Sequence, residues 1–169
     1  MEYGEGAYVV DDNDNVLTTK QRDEITPDER VRIVAIWVEN SMGEILIAQR
    51  AKSMSLDPGL WGPSAAGGVK VGSSYEETAL EELREEIGLE VSQSELNPKG
   101  KMVYETTKNG KRMCAVFSVN CNWPIAKFKT EPTEVESIQW IKKSVLLADI
   151  KNNPSKYLAS AELWEQYIS

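Results

Sequence analysis

Glu81, Glu82, Glu85 and Glu86 fall within six positions of the stretch EELREEIGLEV, residues 81–91, and Gly88 follows them. If this stretch is helical, at about 100° per residue, Glu82, Glu85 and Glu86 lie within an arc of roughly 100°. Glu82 then faces Glu85 at i,i+3 and Glu86 at i,i+4, where like charges repel by about 0.2–0.5 kcal/mol per pair. None of the three has a Lys or Arg three or four residues away within the helix. The cluster also occupies the last turns, where the helix dipole disfavours negative charge. Two readings fit: a solvated acidic face, or a site whose repelling oxygens become ligands. Hard divalent cations such as Mg²⁺ take carboxylate oxygens, with water and substrate phosphate completing the shell.

Composition narrows the chemistry. The chain has 169 residues and a formal net charge of −8. It contains no histidine, which excludes histidine bases and histidine zinc ligands, and Cys114 and Cys121 alone make a poor zinc site. Acid–base or metal chemistry therefore falls on carboxylates. No basic run offers the phosphate-neutralising surface that nucleic-acid binding needs, and KNGKR at 108–112 reads as a hairpin tip. No apolar run approaches the roughly 20 residues of a membrane span. The acidic start, MEYGEGAYVV, does not read as a signal peptide. Two free, buried thiols suit a reducing cytoplasm. Length and the absence of a linker predict a single domain over 1–169.

The positioning elements follow from pattern. AYVVDDNDNVLTT reads as two short strands about an Asp/Asn turn, and residues 32–50 as a strong strand pair turning at Asn40–Gly43. LDPGLWGPSAAGG, 56–68, is Gly/Pro-rich and reads as loop with one short strand. KMVYETT and RMCAVFSVNC form a second pair, and ESIQWIK is a further strand. SVLLADI reads as one terminal helix and SKYLASAELWEQYI as another, capped by Ser155 after Pro154.

The acidic segment reads as a helix over 74–87. Ser73 and Ser74 are both N-cap candidates, each with a glutamate three residues on. Ala79, Leu80, Leu83 and Ile87 form its apolar stripe, and Gly88 suits the left-handed residue beyond its end. Helices among strand pairs predict an α/β (α+β) fold with a mixed β-sheet between α-helices. Trp37 and Trp140 read as core. Trp61 reads either as packing under its loop or as a stacking platform.

Joined to the Gly-rich loop AAGGVKVGSS, the acidic helix resembles the box of the Nudix hydrolases, G-x5-E-x7-R-E-U-x-E-E-x-G-U, where U is a bulky apolar residue. Gly67, Glu82, Leu83, Glu85, Glu86, Gly88 and Leu89 match it. Ser73 stands where the family has Glu, and Glu81 where it has Arg. The resemblance runs through VVDDNDNVLTTKQRDE, GEILIAQR, LDPGLWGPSAAGG, SYEETALEEL and EVESIQWI, in the order of the branch resembling isopentenyl-diphosphate isomerase. The isomerase uses a cysteine and histidines that this chain lacks, so the resemblance implies diphosphate hydrolysis instead.

By that resemblance, Mg²⁺ or Mn²⁺ is bound by Glu82, Glu85, Glu86 and the Gly67 carbonyl, and water attacks phosphorus in a small-molecule diphosphate. Glu82 or Glu134 takes the proton, Glu134 standing in EPTEVES where the family often has a working glutamate. A homodimer is left open. Ser73 and Glu81 alter the bracing of loop and helix, and Glu81 adds negative charge to the cluster. The alternative is a non-catalytic Nudix-like module that binds a nucleotide or diphosphate ligand.

Overall fold

The computed structural model describes residues 6–106, 110–158 and 161–168. Among these described residues nine strands form one sheet: β1 (Gly6–Val10), β2 (Val16–Gln21), β3 (Arg30–Glu39), β4 (Glu44–Arg50), β5 (Trp61–Gly62), β6 (Ala65–Gly68), β7 (Asn97–Thr106), β8 (Gly110–Asn120) and β9 (Val135–Lys142). The helices are α1 (Tyr75–Ile87), α2 (Lys143–Asn152) and α3 (Ala161–Ile168). The sheet is mixed as expected: β3 runs parallel to β8, and its other pairings are antiparallel.

Alternation along β3 divides the interior into two layers. Val34, Ile36 and Val38 pack with Ala79, Leu83 and Ile87 of α1 on one face. Trp37 packs with Leu146 and Ile150 of α2 and Trp164 of α3 on the other. Trp37 is core, as its strand position predicts, with its ring centroid 4.8 Å from that of Trp164. Trp140 is only half-buried; its Nε1 donates to the Trp123 carbonyl at 3.0 Å. Trp61 is partly buried against the α2/α3 side.

The β3–β4 pair diverges, which its sequence does not reveal. Only Val38↔Leu46 and Glu39↔Ile45 are paired. Beyond them β3 turns to β6 and β8, while β4 turns to β5 and β9. Ser64, fully buried, sits at the apex of the split. Its Oγ accepts from Val38 N at 2.8 Å and donates to the Leu46 carbonyl at 2.6 Å. One hydroxyl thus satisfies two backbone groups that the parting strands would leave unpaired. The segment expected to carry one short strand carries two, β5 and β6, one on each side of this gap.

The expected 74–87 helix begins at Tyr75 with Ser74, not Ser73, as its cap. Ser74 Oγ accepts from Glu77 N at 3.0 Å, and the Glu77 carboxylate accepts from Ser74 N at 2.9 Å. Gly88, at φ 70°, ends it in the left-handed conformation. Leu80 is only partly buried, so the deeply buried stripe is Ala79, Leu83 and Ile87.

The helix expected from Ser155 is corrected. Pro154–Lys156 form a single 3-10 turn, Tyr157 is extended, and α3 starts at Ala161. Leu158 N donates instead to the Trp61 carbonyl at 3.0 Å, drawing the chain onto β5 before it can turn helical. Cys114 and Cys121 are free and buried, as expected. The tip of the β7–β8 hairpin, 107–109, lies outside the described residues.

Candidate active site

The buried stripe of α1 fixes which of its residues look into the gap between β3 and β4. With Leu83 and Ile87 locked in the core, Glu82 and Glu86 project beside β6. Gly67 makes room for this approach. A Cβ built on Gly67 would fall 2.1 Å from Glu82 Oε1 and 2.3 Å from its Cδ, so any side chain there displaces the carboxylate. Glu86 accepts from Ala66 N at 3.4 Å, tying the helix to the same strand.

A third carboxylate arrives from the loop before β9. Lys129 N donates to the Ile87 carbonyl at 3.1 Å, and Glu131 N donates to the Glu86 carbonyl at 3.0 Å. These bonds satisfy groups that the helix end leaves free and seat the loop on α1. Glu131 then closes a turn in which its carbonyl accepts from Glu134 N at 3.0 Å. One ligand oxygen each from Glu82, Glu86 and Glu134 can be chosen with all three within 4.8 Å of one another. Among the described residues, none of the three has a Lys or Arg within 4.0 Å.

The electrostatics follow from that crowding. Burial raises Glu82 to about 7, and the charges of Glu134, Glu85 and Glu81 push the same way against a relieving hydrogen bond from Glu86. Burial lifts Glu86 well above the ordinary carboxylate value, helped by its hydrogen bond with Glu82 and the charges of Glu82 and Glu134. Without a cation the pair favours holding a proton between them. Carboxylate oxygens without cationic partners are the donor set that a hard divalent ion takes.

Glu85 is not drawn into this group. It is exposed, and its nearest charged partner is Arg84, at 3.8 Å. Helical spacing alone suggests that Glu82, Glu85 and Glu86 converge; in the fold, Glu82 and Glu86 converge with Glu134. Glu81 does add charge beside Glu82, but it is not left bare: Lys70 Nζ lies 3.4 Å away, linking the loop after β6 to the helix. No spacing rule marks Lys70, eleven residues upstream. The same holds for Arg22, whose guanidinium lies against Gly68.

The NUDIX domain profile matches residues 28–161, most of the chain. The chain belongs to the Nudix family. It is 28% identical over 146 residues to an uncharacterized Nudix hydrolase of Pseudomonas aeruginosa, covering 86% of this chain and 83% of that protein. A Nudix hydrolase of Deinococcus radiodurans is 31% identical over 122 residues, 72% of this chain and 69% of that one. An isopentenyl-diphosphate Delta-isomerase of Enterobacter is 26% identical over 166 residues, 91% and 85% of the two chains. Among solved structures, the DR0079 protein of Deinococcus radiodurans superposes with a TM-score of 0.79 at 26% identity, covering 96% of this chain and 99% of that one. The Nudix fold expected from the sequence is therefore the fold observed, and the hydrolase relatives support hydrolase activity in general. No helix among the described residues is long and apolar enough to cross a membrane.

Proposed function

We propose that this Nudix protein hydrolyses a diphosphate linkage in a small organic molecule, using Mg²⁺ or Mn²⁺. One observation carries the reading: Glu82, Glu86 and Glu134 converge to within 4.8 Å beside a glycine that leaves them room. Glu82, Glu86, Glu134 and the Gly67 carbonyl would hold the ion, with Glu85 adding charge from the rim. When bound, such an ion neutralises diphosphate charge and lowers the pKa of water.

The chain's own residues supply the rest. The gap between β4–β5 and β6, lined by Arg50, Gly62, Pro63 and Ala66, gives access to Glu86 and Glu134. Glu134 is exposed at its rim and can accept the proton of the attacking water. Glu82 lies beside it, in the space that the absence of a Gly67 side chain leaves open. The Lys70–Glu81 contact braces the loop against the helix where the family uses other residues.

The test is the formation of phosphorylated products from a panel of nucleoside, sugar and isoprenoid diphosphates, with Mg²⁺ and with chelator. Glu86→Gln and Glu134→Gln should each lower metal-dependent turnover by about 100-fold, the scale of losing a well-placed acid–base or metal-holding group. Glu85→Gln should lower it less. Turnover that is indifferent to chelator and to both substitutions rules the proposal out.

A further inference from the structure

The two glycines of β6 seat opposite charges. Successive residues of a strand face opposite sides of the sheet. On one side, the space that a Gly67 side chain would fill is taken by the Glu82 carboxylate. On the other, the space at Gly68 is taken by a guanidinium: a Cβ there would lie 2.5 Å from Arg22 Nη2 and 2.7 Å from Nη1. Arg22 comes from the 3-10 turn after β2.

The Gly68 side of the sheet holds a cavity of about 100 Å³. Its walls include Ile33, Ala35, Met102, Tyr104, Cys114 and Val116. It shares Pro63, Ala66 and Leu158 with the gap that holds Glu86 and Glu134, so the two spaces are neighbours. Gly68 and Cys114 both pair with Ile33, one on each side of it. Two residues before Cys114, and so on the same face, stands Arg112, opposite Tyr104 in the register. Both guanidiniums therefore belong to the cavity's side of the sheet, Arg22 over Gly68 and Arg112 opposite Tyr104 of the cavity wall.

Among the described residues, neither guanidinium has a carboxylate within 4.0 Å, and the Arg112 bond is a donation from Nη1 to the Lys111 carbonyl at 3.0 Å. Arg112 is half-buried. Burial lowers it below the ordinary arginine value, and the Arg22 charge adds to that against an opposing effect of Tyr104. An anion placed between two like charges relieves their repulsion. Guanidinium is the side chain best matched to phosphate oxygens, through paired N–H donors.

We propose that Arg22 and Arg112 form an anion subsite on the cavity's side of the sheet, the face of β6 opposite Glu82, which takes a phosphate group of the substrate. The proposal rests on the diphosphate reading above and narrows it. The substrate therefore carries a phosphate beyond those at the glutamates. Its organic group lies against apolar and aromatic side chains.

The test separates this subsite from the metal-dependent chemistry. Inorganic pyrophosphate is titrated by calorimetry into the protein in chelator, for the wild type, Arg22→Gln, Arg112→Gln and Glu86→Gln. Arg22 is exposed, so its substitution leaves the fold intact even if Arg112→Gln does not. Both arginine variants should weaken binding by about tenfold or more, added salt should weaken the wild type, and Glu86→Gln should bind at least as well as wild type. With Mg²⁺ and an active substrate, Arg22→Gln should raise KM and leave kcat within a few-fold. Absence of pyrophosphate binding by the wild type, or equal affinity in Arg22→Gln, overturns the subsite. If Glu86→Gln abolishes turnover while Arg22→Gln binds as the wild type does, the subsite alone has failed. If Arg22→Gln loses pyrophosphate while Glu86→Gln keeps full turnover, the subsite stands and the metal reading has failed.

Discussion

Removing one charge from the glutamate cluster should make the metal-free protein more stable. Glu82 titrates near 7 in the folded chain, against 4.5 for an ordinary glutamate. Burial is the main cause, and the charges of Glu134, Glu85 and Glu81 add to it. Between those two values the folded chain holds a proton that the unfolded chain has released. Stability therefore falls as pH rises from about 4.5 to 7, and the loss is complete above that window. At about 1.4 kcal/mol per pH unit, the loss by pH 8 is about 3 kcal/mol. Glu82 and Glu86 share their titration, so this cost belongs to the pair. Glu82→Gln keeps the shape and removes the charge. For a chain of this length each kcal/mol moves Tm by roughly 2–4 °C, so the variant should melt about 6–12 °C higher at pH 8 in chelator. At pH 5 the two proteins should melt nearly together. Mg²⁺ should raise the wild-type Tm, since an ion that binds the folded state stabilises it, and should do little for the variant. Differential scanning fluorimetry at pH 5 and 8, with chelator and with Mg²⁺, reads all four conditions. An unchanged or lower Tm for Glu82→Gln at pH 8 in chelator would refute the reasoning, because the carboxylate would then not be under electrostatic strain.

Gly67→Ala should leave the fold intact by circular dichroism yet cut metal-dependent turnover at least tenfold, because the new methyl must push the flexible end of Glu82 aside. Wild-type turnover in this variant would mean that Glu82 can act from another position. Ser64→Ala should destabilise the protein by about 2–4 kcal/mol in urea denaturation, since it strands a buried N–H and a buried carbonyl at the β3–β4 split. A cost below about 1 kcal/mol would mean that the strands close up without the hydroxyl.

Sequence alone determined the acidic helix and its ends. The Ser74–Glu77 capping pair and Gly88 are local signals, and each is satisfied by atoms within a few residues. The apolar stripe through Ala79, Leu83 and Ile87 fixed which side of that helix meets the sheet, because the hydrophobic effect acts on any apolar face at helical spacing. The strand pairs were legible for the same reason, through alternation and turn chemistry. The box resemblance rests on these same residues, so family and fold were readable before any coordinate.

Tertiary structure decided what the chain could not state locally. Spacing on a helix cannot say which carboxylates face a cleft. Glu85 turned outward and Glu134 took its place in the cluster because the 129–134 loop hydrogen-bonds to the carbonyls at the end of α1. The divergence of β3 from β4 depends on Ser64, two residues beyond Gly62, and only the folded sheet brings it between Val38 and Leu46. The start of α3 was misplaced because Ser155 and Pro154 carry a helix-start signal that the contact of Leu158 with Trp61 overrides. Lys70 meets Glu81, and Arg22 meets Gly68, across intervals with no periodic signature. Local rules report interactions closed within a few residues; the charges that define this cleft are paired, or left unpaired, by segments that meet only when the sheet folds.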